Sequence, residues 1–315
     1  MQNVVKSHFF VPASADDLTL GVDVTIPVSD ARAIVHILHG MCEHKERYEN
    51  FMMYLSAQGF ICVCHDHRGH GESVKSSADL GYMYDGGAEA LVEDVRTVAQ
   101  WAKNRYPGLP LVVLGHSMGS MAARAFVRKY DAEVDGLIVC GSPSDNPVKG
   151  VGKLLAKFIG TIKGHHYRPQ LLQQMSFGAF NRGFEQDGYH SAWVCSDREV
   201  LDAYHNDPLC QYVFTANGFY NLLSLMQACY AKKGWVLSKP ELPIWFISGA
   251  DDPCRTSNKA FNQSVVAMRK LGYKYVSSKT YPDMRHEILN ETEKQVVWDD
   301  VVKMINEMIK KDYGN

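Results

Sequence analysis

The sequence predicts an α/β fold with a mostly parallel central sheet, helices on both faces and a helical segment inserted between two strands. Two observations predict this class. Short apolar runs rich in Val and Ile alternate with longer segments whose apolar residues recur every three or four positions, as expected of parallel strands connected by helices. From about residue 145 this alternation stops for roughly a hundred residues, which show helical patterns and no clear strand.

The individual elements follow from the period of the apolar residues. Strands are expected at 4–11, 18–26, 33–38, 60–64, 111–114, 136–140, 242–248 and 275–280. Helices are expected at 47–58, 89–103, 121–127, 154–162, 171–180, 218–232 and 257–271, and in a last helix with Val297, Val301, Ile305 and Met308 on its buried side. Polar and apolar residues alternate in the second strand, which indicates a half-exposed antiparallel hairpin with the first strand at a sheet edge.

The break in the strand pattern divides the chain. We expect residues 1–145 and 241–315 to form the core and residues 146–240 to form a helical lid, or cap. The cap is rich in apolar residues: Leu171, Leu172, Met175, Phe177, Phe180, Phe214, Phe219, Tyr220, Leu223 and Met226. This content suits a tunnel for an acyl chain, although any helical insertion must bury an apolar face.

Composition and charge exclude several classes of protein. A formal net charge of -2 argues against a nucleic-acid partner, which favours a basic excess. No apolar run approaches the roughly 18 residues of a transmembrane segment. The N-terminus lacks the apolar region of a signal peptide, and the eight cysteines form no Cys-x-x-Cys pair. These features predict reduced cysteines in a cytoplasmic protein.

The stretch 111–127 predicts a nucleophilic serine. An apolar strand leads into Gly115-His116-Ser117-Met118-Gly119, and a helical pattern follows. In a Gly-x-Ser-x-Gly turn between strand and helix, the glycines avoid collisions and the hydroxyl is held above the sheet. The backbone N–H of Met118, at the start of the helix, then faces the hydroxyl and can donate a hydrogen bond to an oxyanion. The alternative is an ordinary turn before a helix.

A serine nucleophile needs a base and a group that orients the base. Asp251 and Asp252 follow an apolar strand, and His286 follows the next strand, so each side chain is expected at the same sheet edge as Ser117. Asp252 is the expected acid, and Asp251 stays open as the alternative. A second oxyanion donor is expected from Met41, in the loop after the strand at 33–38.

Histidines crowd two of the predicted loops. They are His39, His44, His65, His67 and His70. His65 and His67 with Asp66 offer a spacing that zinc accepts, but the neighbouring Arg68 and two glycines favour a hydrogen-bonded loop beside the serine. No phosphate-binding Gly-x-x-x-x-Gly-Lys pattern occurs. We therefore expect neither a metal nor a cofactor.

Four motifs together resemble the monoacylglycerol lipase and lysophospholipase group of α/β-hydrolases, the serine aminopeptidase S33-like family. They are His39-Gly40-Met41-Cys42-Glu43-His44 with Arg47-Tyr48, Asp66-His67-Arg68-Gly69-His70-Gly71-Glu72-Ser73, Gly115-His116-Ser117-Met118-Gly119, and His286-Glu287. The likeness covers about residues 20–145 and 240–312. It implies an α/β-hydrolase fold, Ser117 as nucleophile, His286 as base, Met41 and Met118 as oxyanion donors and Asp252, three residues after Gly249, as the acid. One departure is Cys42, where relatives often have glycine, and it is expected to alter access near the oxyanion hole.

The resemblance implies a serine hydrolase acting on carboxylic esters of lipophilic acyl chains, with a small lipophilic ester as substrate. An S33-type aminopeptidase is one alternative, and it needs an acidic group in the cap, for which Glu185, Asp187, Asp197 and Asp202 are candidates. A non-catalytic ligand-binding protein of the same fold is the other alternative. The sequence leaves open the acyl length, the alcohol, the oligomeric state and transient contact of the cap with a membrane surface.

Overall fold

An eight-stranded sheet lies at the centre of residues 4–310, the part of the chain that the computed structural model describes. The strands are β1 (Val4–Pro12), β2 (Thr19–Pro27), β3 (Ala33–Leu38), β4 (Phe60–His65), β5 (Leu111–His116), β6 (Gly136–Cys140), β7 (Ile244–Gly249) and β8 (Val276–Tyr281). They are ordered β1-β2-β4-β3-β5-β6-β7-β8. All eight predicted strands are confirmed, with shifts of one or two residues at some ends.

The sheet is parallel from β4 to β8. Only the β1–β2 and β2–β4 pairs are antiparallel. The predicted mostly parallel sheet is therefore confirmed. Because parallel strands end at the same edge, the loops that follow β3, β5, β7 and β8 lie together, and ligand sites of such sheets are found there.

Helices cover both faces of the sheet. They are α1 (Glu49–Ala57), α2 (Gly87–Arg105), α3 (Met118–Tyr130), α4 (Lys149–Lys163), α5 (Gln170–Phe177), α6 (Arg198–Asn206), α7 (Ala216–Cys229), α8 (Asn258–Leu271) and α9 (Lys294–Lys310). Side chains of α2, α3 and α8 share one buried cluster with Val113 of β5, while α1 and α9 share the other with Val112 and Leu114. This alternation along β5 follows from the two-residue period of a strand.

The predicted half-exposed hairpin is correct only for its outer strand. β1 is the edge strand and is largely exposed, but Asp23 and Thr25 of β2 are buried. The hydroxyl of Thr25 lies 2.7 Å from the hydroxyl of Ser56 in α1, and Asp23 lies 2.6 Å from Nδ1 of His8. Both buried polar side chains thus have a partner on a neighbouring element, so the alternation of polar and apolar residues in β2 does not indicate a solvent-exposed face.

The segment between β6 and β7 contains α4 to α7 and no strand, and every residue from 141 to 243 is described. α6 was not predicted, because it has only nine residues and Leu201 is its only fully buried side chain. Within residues 4–310, no helix has both the length and the apolar character needed to cross a membrane. All eight cysteines are buried and unpaired, as predicted.

Candidate active site

Ser117 forms the turn between β5 and α3. β5 ends at His116 and α3 begins at Met118, so one residue makes the connection. The Ser117 backbone has φ 52° and ψ -117°, and such a positive φ costs a residue other than glycine roughly 1–3 kcal/mol. Its N–H donates to the carbonyl of Cys140 in β6 at 2.9 Å. The sheet thus holds the serine in the strained turn that the sequence predicts.

Gly115 and Gly119 are required because other backbone atoms pass very close to them. A Cβ atom on Gly119 would overlap the carbonyl oxygens of Leu38 and His39 at the end of β3. A Cβ atom on Gly115 would overlap the carbonyl of Gly119 and lie 2.8 Å from Cα of Ser120. The two glycines therefore let the first turn of α3 pack directly against β5 and β3.

The carboxylate of Asp252 lies beside the imidazole of His286. Oδ2 is 3.0 Å from Nδ1 and both side chains are buried, although the ring N–H is not aligned for a hydrogen bond in this conformation. Such bonds are often poorly aligned before substrate binds. The carboxylate also accepts the N–H of Cys254 at 2.8 Å and the hydroxyl of Ser248 at 3.2 Å. Asp251 is exposed, so the geometry favours Asp252 as the acid.

Two backbone segments flank Ser117 where oxyanion donors are expected. A Cβ atom on Gly40 would lie only 3.1 Å from Cβ of Ser117, so the loop carrying Met41 runs against the nucleophile. Met118 opens α3, and the first N–H groups of a helix have no acceptor within it. Both predicted donors, Met41 and Met118, thus belong to segments beside Ser117.

The buried carboxylate of Glu43 connects these segments. Oε1 is 3.0 Å from Nδ1 of His116, accepts the hydroxyl of Tyr48 at 3.0 Å and also accepts the backbone N–H of Gly40. Oε2 accepts from Arg47 at 2.9 Å. One side chain therefore contacts both the loop after β3 and the residue before the nucleophile.

Arg47 and His116 extend these contacts to the loop that carries the predicted base. Both terminal nitrogens of Arg47 donate to Glu287, each at 2.7 Å. Nε2 of His116 lies 3.3 Å from the carbonyl oxygen of His286. Glu43, Arg47, Glu287, His286 and His116 thus form a closed ring of contacts, which we call the Glu43 ring.

The charges of the Glu43 ring balance. Burial alone disfavours a charged imidazole, but the hydrogen bond and the negative charge of Glu43 raise the pKa of His116 above its ordinary value. Burial also opposes ionisation of Glu43, but His116 and then Arg47 lower the pKa of its carboxyl. With Glu287 paired to Arg47, the two carboxylates face one guanidinium and one imidazole whose protonation Glu43 favours, which makes their burial tolerable.

Hydrogen bonds hold the histidine-rich loop after β4, as predicted. The backbone N–H of His67 donates to Nε2 of His39 at 2.9 Å. The ring nitrogen Nε2 of His67 lies 3.1 Å from the backbone carbonyl oxygen of His39. The buried Arg68 makes two bonds to Asp94 at 2.6 and 2.9 Å. Among residues 4–310, the groups close enough to share a metal ion do not include His65 or His67.

Trp193 of the inserted segment contacts the imidazole of His286, and two further aromatic rings pack against Trp193. The ring centroid of Trp193 is 5.0 Å from that of His286. Phe177 stacks on Trp193 at 6.4 Å, and Phe180 meets it edge-on at 5.0 Å. The predicted base therefore faces an apolar wall supplied by the inserted helices.

Cys42 adopts a left-handed backbone conformation. Its φ is 53°, which glycine adopts without strain. The thiol donates to the carbonyl of Tyr212 in the inserted segment at 3.2 Å. Cys42 thus connects the loop of Met41 to the inserted helices, and its effect on access stays a prediction.

Comparison with known proteins identifies the family. The family model described as serine aminopeptidase, S33, matches residues 29–293. The chain belongs to this family. Over 300 residues, the S33-family chain is 29% identical to the monoacylglycerol lipase of Mycolicibacterium smegmatis, which covers 95% of this chain and 96% of that protein. It is also 34% identical to human monoglyceride lipase over 188 residues, covering 58% of this chain and 54% of the human protein.

Solved structures agree with the α/β-hydrolase fold of this S33-family chain. The carboxyl esterase of Bacillus coagulans matches with a TM-score of 0.87 and 25% identity, over 98% of this chain and all of that one (100%). The monoglyceride lipase of Saccharomyces cerevisiae matches with a TM-score of 0.74 and 20% identity, over 99% and 97% of the two chains. Both matches therefore span nearly the whole length of this chain.

Sequence reasoning gave no role to four residues that the structure places at the site. Glu43, Arg47 and Glu287 belong to the motifs that carry the family resemblance, and their charges inside those motifs were the available signal. Trp193 lies in the inserted segment, where no motif marks it. Its position over His286 becomes visible only once the inserted segment is folded.

Proposed function

We propose that this protein is a serine ester hydrolase that cleaves carboxylic esters of lipophilic acyl chains. One observation carries the proposal: the buried Asp252–His286 pair lies under Trp193, at the sheet edge where Ser117 is held in a strained turn. The relatives named monoacylglycerol lipase and carboxyl esterase support an ester as the substrate.

The reaction would proceed through an acyl-enzyme. Oγ of Ser117 attacks the ester carbonyl while Nε2 of His286 takes the hydroxyl proton, and Asp252 orients the imidazole at Nδ1. The N–H groups of Met41 and Met118 stabilise the oxyanion. His286 then gives the proton to the departing alcohol. Water repeats the attack on the acyl-enzyme and releases the acid.

The cap carboxylates argue against an aminopeptidase. That activity needs a carboxylate free to bind the substrate's amino group. Each of the four candidates already has another partner: Glu185 accepts the N–H of Gly183 at 2.7 Å, Asp187 pairs with Arg285 at 2.6 Å, Asp197 accepts the N–H of Glu199 at 3.0 Å, and Asp202 accepts the hydroxyl of Tyr189 at 2.5 Å. These contacts favour an uncharged ester.

We assign the choice of substrate to residues 146–240, as a cap on a core formed by residues 1–145 and 241–315. The apolar wall of Trp193, Phe177 and Phe180 supports this role, since it lies over the reacting imidazole. An acyl chain packed against such a wall gains about 0.8 kcal/mol for each buried methylene. The eight unpaired thiols support a cytoplasmic location, where the redox potential keeps cysteines reduced.

We also propose that α4 brings the cap into transient contact with a membrane surface. Exposed apolar side chains follow one another along this helix at intervals of three and four: Val151, Leu154, Phe158 and Ile162. Lysines accompany them at 149, 153, 157 and 163, and the helix has no acidic residue. A helix with an apolar stripe and lysines beside it favours binding at the surface of anionic membranes, where lipophilic esters reside.

A turnover panel on the purified protein tests the reaction. The panel contains monoacylglycerols and p-nitrophenyl esters of increasing acyl length, a lysophospholipid and aminoacyl amides. We expect ester cleavage, and we expect Ser117→Ala to lower kcat at least about 10⁴-fold because the nucleophile is lost. Asp252→Asn should lower kcat by about 10⁴-fold, because the imidazole loses its orientation.

Asp251→Asn is the matched control, since it removes a neighbouring but exposed carboxylate. It should keep kcat within about threefold of the wild-type value. Cleavage of amides alone would identify a peptidase. Absence of turnover together with a serine that a fluorophosphonate does not label would identify a binding protein.

A further inference from the structure

A thiol lies beside the predicted base and has no part in the proposed reaction. Sγ of Cys254 is 4.0 Å from Nε2 of His286 and is buried with it. The backbone N–H of Cys254 donates to Oδ1 of Asp252 at 2.8 Å, which fixes the thiol next to the carboxylate. Sulfur, nitrogen and oxygen donors of three side chains thus meet at one point of the site.

The spacing of these donors fits a small thiophilic cation. One ligand atom each of Asp252, Cys254 and His286 lies within 4.8 Å of the others. Zinc binds sulfur at about 2.3 Å and nitrogen or oxygen at about 2.0–2.2 Å, so its ligands are roughly 3.5 Å apart in a tetrahedron. The 4.0 Å between Cys254 and His286 needs only a small contraction to reach that separation.

We propose that Asp252, Cys254 and His286 bind a thiophilic divalent cation such as Zn²⁺ or Cd²⁺, and that this ion inhibits the enzyme. On binding, the thiol releases one proton to solvent and its sulfur forms the metal bond. The ion also takes the Nε2 lone pair of His286, which the proposed reaction needs to accept the proton of Ser117. The carboxylate of Asp252, now 3.0 Å from Nδ1, turns away from that nitrogen to become the third ligand. An ion at this position therefore blocks activation of the nucleophile.

Inhibition rests on the proposed function, whereas binding of the ion does not. Because the ion takes the same nitrogen that faces the substrate, it competes with the ester, and the apparent KM rises with metal concentration. The inhibitor is distinct from a resident metal, which the proposed reaction does not use.

A second cluster provides an internal comparison. His44, Asp207 and Cys210 also lie within 4.8 Å of one another, but a cation already lies beside this second cluster. The guanidinium of Arg47 lies close enough to Cys210 to lower the pKa of its thiol, against the larger effect of burial, and it repels a cation at the same point. We therefore expect the weaker metal binding at this cluster.

Titration with Cd²⁺ tests the proposal with a readout that needs no turnover. We expect the ultraviolet band of a thiolate–Cd²⁺ bond to appear in wild type, and fluorophosphonate labelling and ester cleavage to fall over the same concentration range. Cys254→Ser should abolish the band and raise the inhibitory concentration at least about tenfold, relative to its own activity without metal. Cys210→Ser is the matched control, and it should change neither the ultraviolet band nor the inhibitory concentration.

Loss of the band in Cys210→Ser, or equal inhibition of Cys254→Ser and wild type, would overturn the assignment. A second measurement uses the wild-type protein, so that the test does not depend on the folding of a variant. Zinc X-ray absorption should show one sulfur at about 2.3 Å together with nitrogen or oxygen ligands, and a shell without sulfur would also refute the site. A band without any ester cleavage would support the metal site and refute the proposed function.

Discussion

Glu43 illustrates how one side chain can set the geometry of several catalytic groups. Its carboxylate accepts the N–H of Gly40, next to the predicted oxyanion donor Met41, and contacts His116, next to the predicted nucleophile Ser117. Through Arg47 it also reaches Glu287, the residue after the predicted base. We therefore regard Glu43 as a positioning residue, which acts on the reaction through its neighbours.

Replacing Glu43 with Gln should weaken both catalysis and folding. The amide cannot neutralise Arg47 and His116, and an unbalanced buried charge costs about 3–5 kcal/mol. We expect the free energy of unfolding to fall by about that amount and kcat to fall about 10- to 100-fold with a smaller change in KM. Urea unfolding and steady-state kinetics measure both effects.

The pH dependence separates this role from simple loss of packing. Because Glu43 raises the pKa of His116, the ion pair stabilises the wild-type protein fully below pH ~6.5 and less as pH rises through the raised value. The Glu43→Gln variant should therefore lose more stability below pH ~6.5 than at alkaline pH. A loss independent of pH would contradict the assignment. The exposed Glu49, changed to Gln, is the control and should alter stability by less than about 0.5 kcal/mol.

At the scale of elements, the sequence predicts those strands and turns that depend on neighbouring residues in the chain. The strands around Ser117 and the turn itself follow from apolar runs and glycine positions. The sequence analysis missed α6, which is a helix of nine residues with one fully buried side chain. It also missed the buried face of β2, because burial there depends on partners such as Ser56. The pairing of Arg47 with Glu287 joins residues 240 positions apart, so only the folded sheet reveals it.

The exposed stripe of α4 gives a prediction about the cap. Phe158→Glu removes an apolar side chain that is 62% exposed and adds a negative charge among lysines. We expect binding to vesicles of phosphatidylglycerol and phosphatidylcholine to weaken at least about tenfold in a sedimentation assay, because burial of Phe contributes about 1.5–3 kcal/mol.

Phe10→Glu is the matched control, because Phe10 is 58% exposed but lies on the edge strand β1. It should bind vesicles as the wild type does, and both variants should hydrolyse a short water-soluble ester at wild-type rates. Equal binding by the Phe158→Glu variant and wild type would show that α4 does not contact the lipid.

At the scale of the molecule, the cap and the loop of the predicted base form one unit. The N–H of Glu287 donates to the carbonyl of Val194 at 2.7 Å. Arg285 donates to the carbonyls of Ala192 and Cys195 at 2.7 and 3.0 Å. Movement of this part of the inserted segment would therefore displace the loop that carries His286.

The histidines buried beneath the site give the last prediction, an unusual sensitivity to mild acid. They are His36, His39, His65, His67 and His70. Burial lowers the pKa of His36 and His67 to about 3 and of His70 to about 4, and it lowers the other two well below the ordinary value. Unfolded histidines titrate near pH ~6.5, so below that pH the unfolded chain binds more protons and stability falls as pH falls. His116 acts in the opposite direction, but it is one imidazole against five.

Each of these imidazoles lowers the free energy of unfolding by up to about 1.4 kcal/mol for each pH unit that the pH falls. Five of them together would cancel a typical free energy of unfolding of about 5–15 kcal/mol before pH ~4. Carboxyl groups of the unfolded chain titrate near pH ~4, so a fall that begins near pH ~6 belongs to the histidines. Urea unfolding from pH ~7 to pH ~4.5 measures the slope of the free energy of unfolding against pH, which reports how many protons the chain takes up on unfolding. His36→Gln should reduce that number by about one. A free energy of unfolding that stays constant over this range would mean that these imidazoles take up protons in the folded protein.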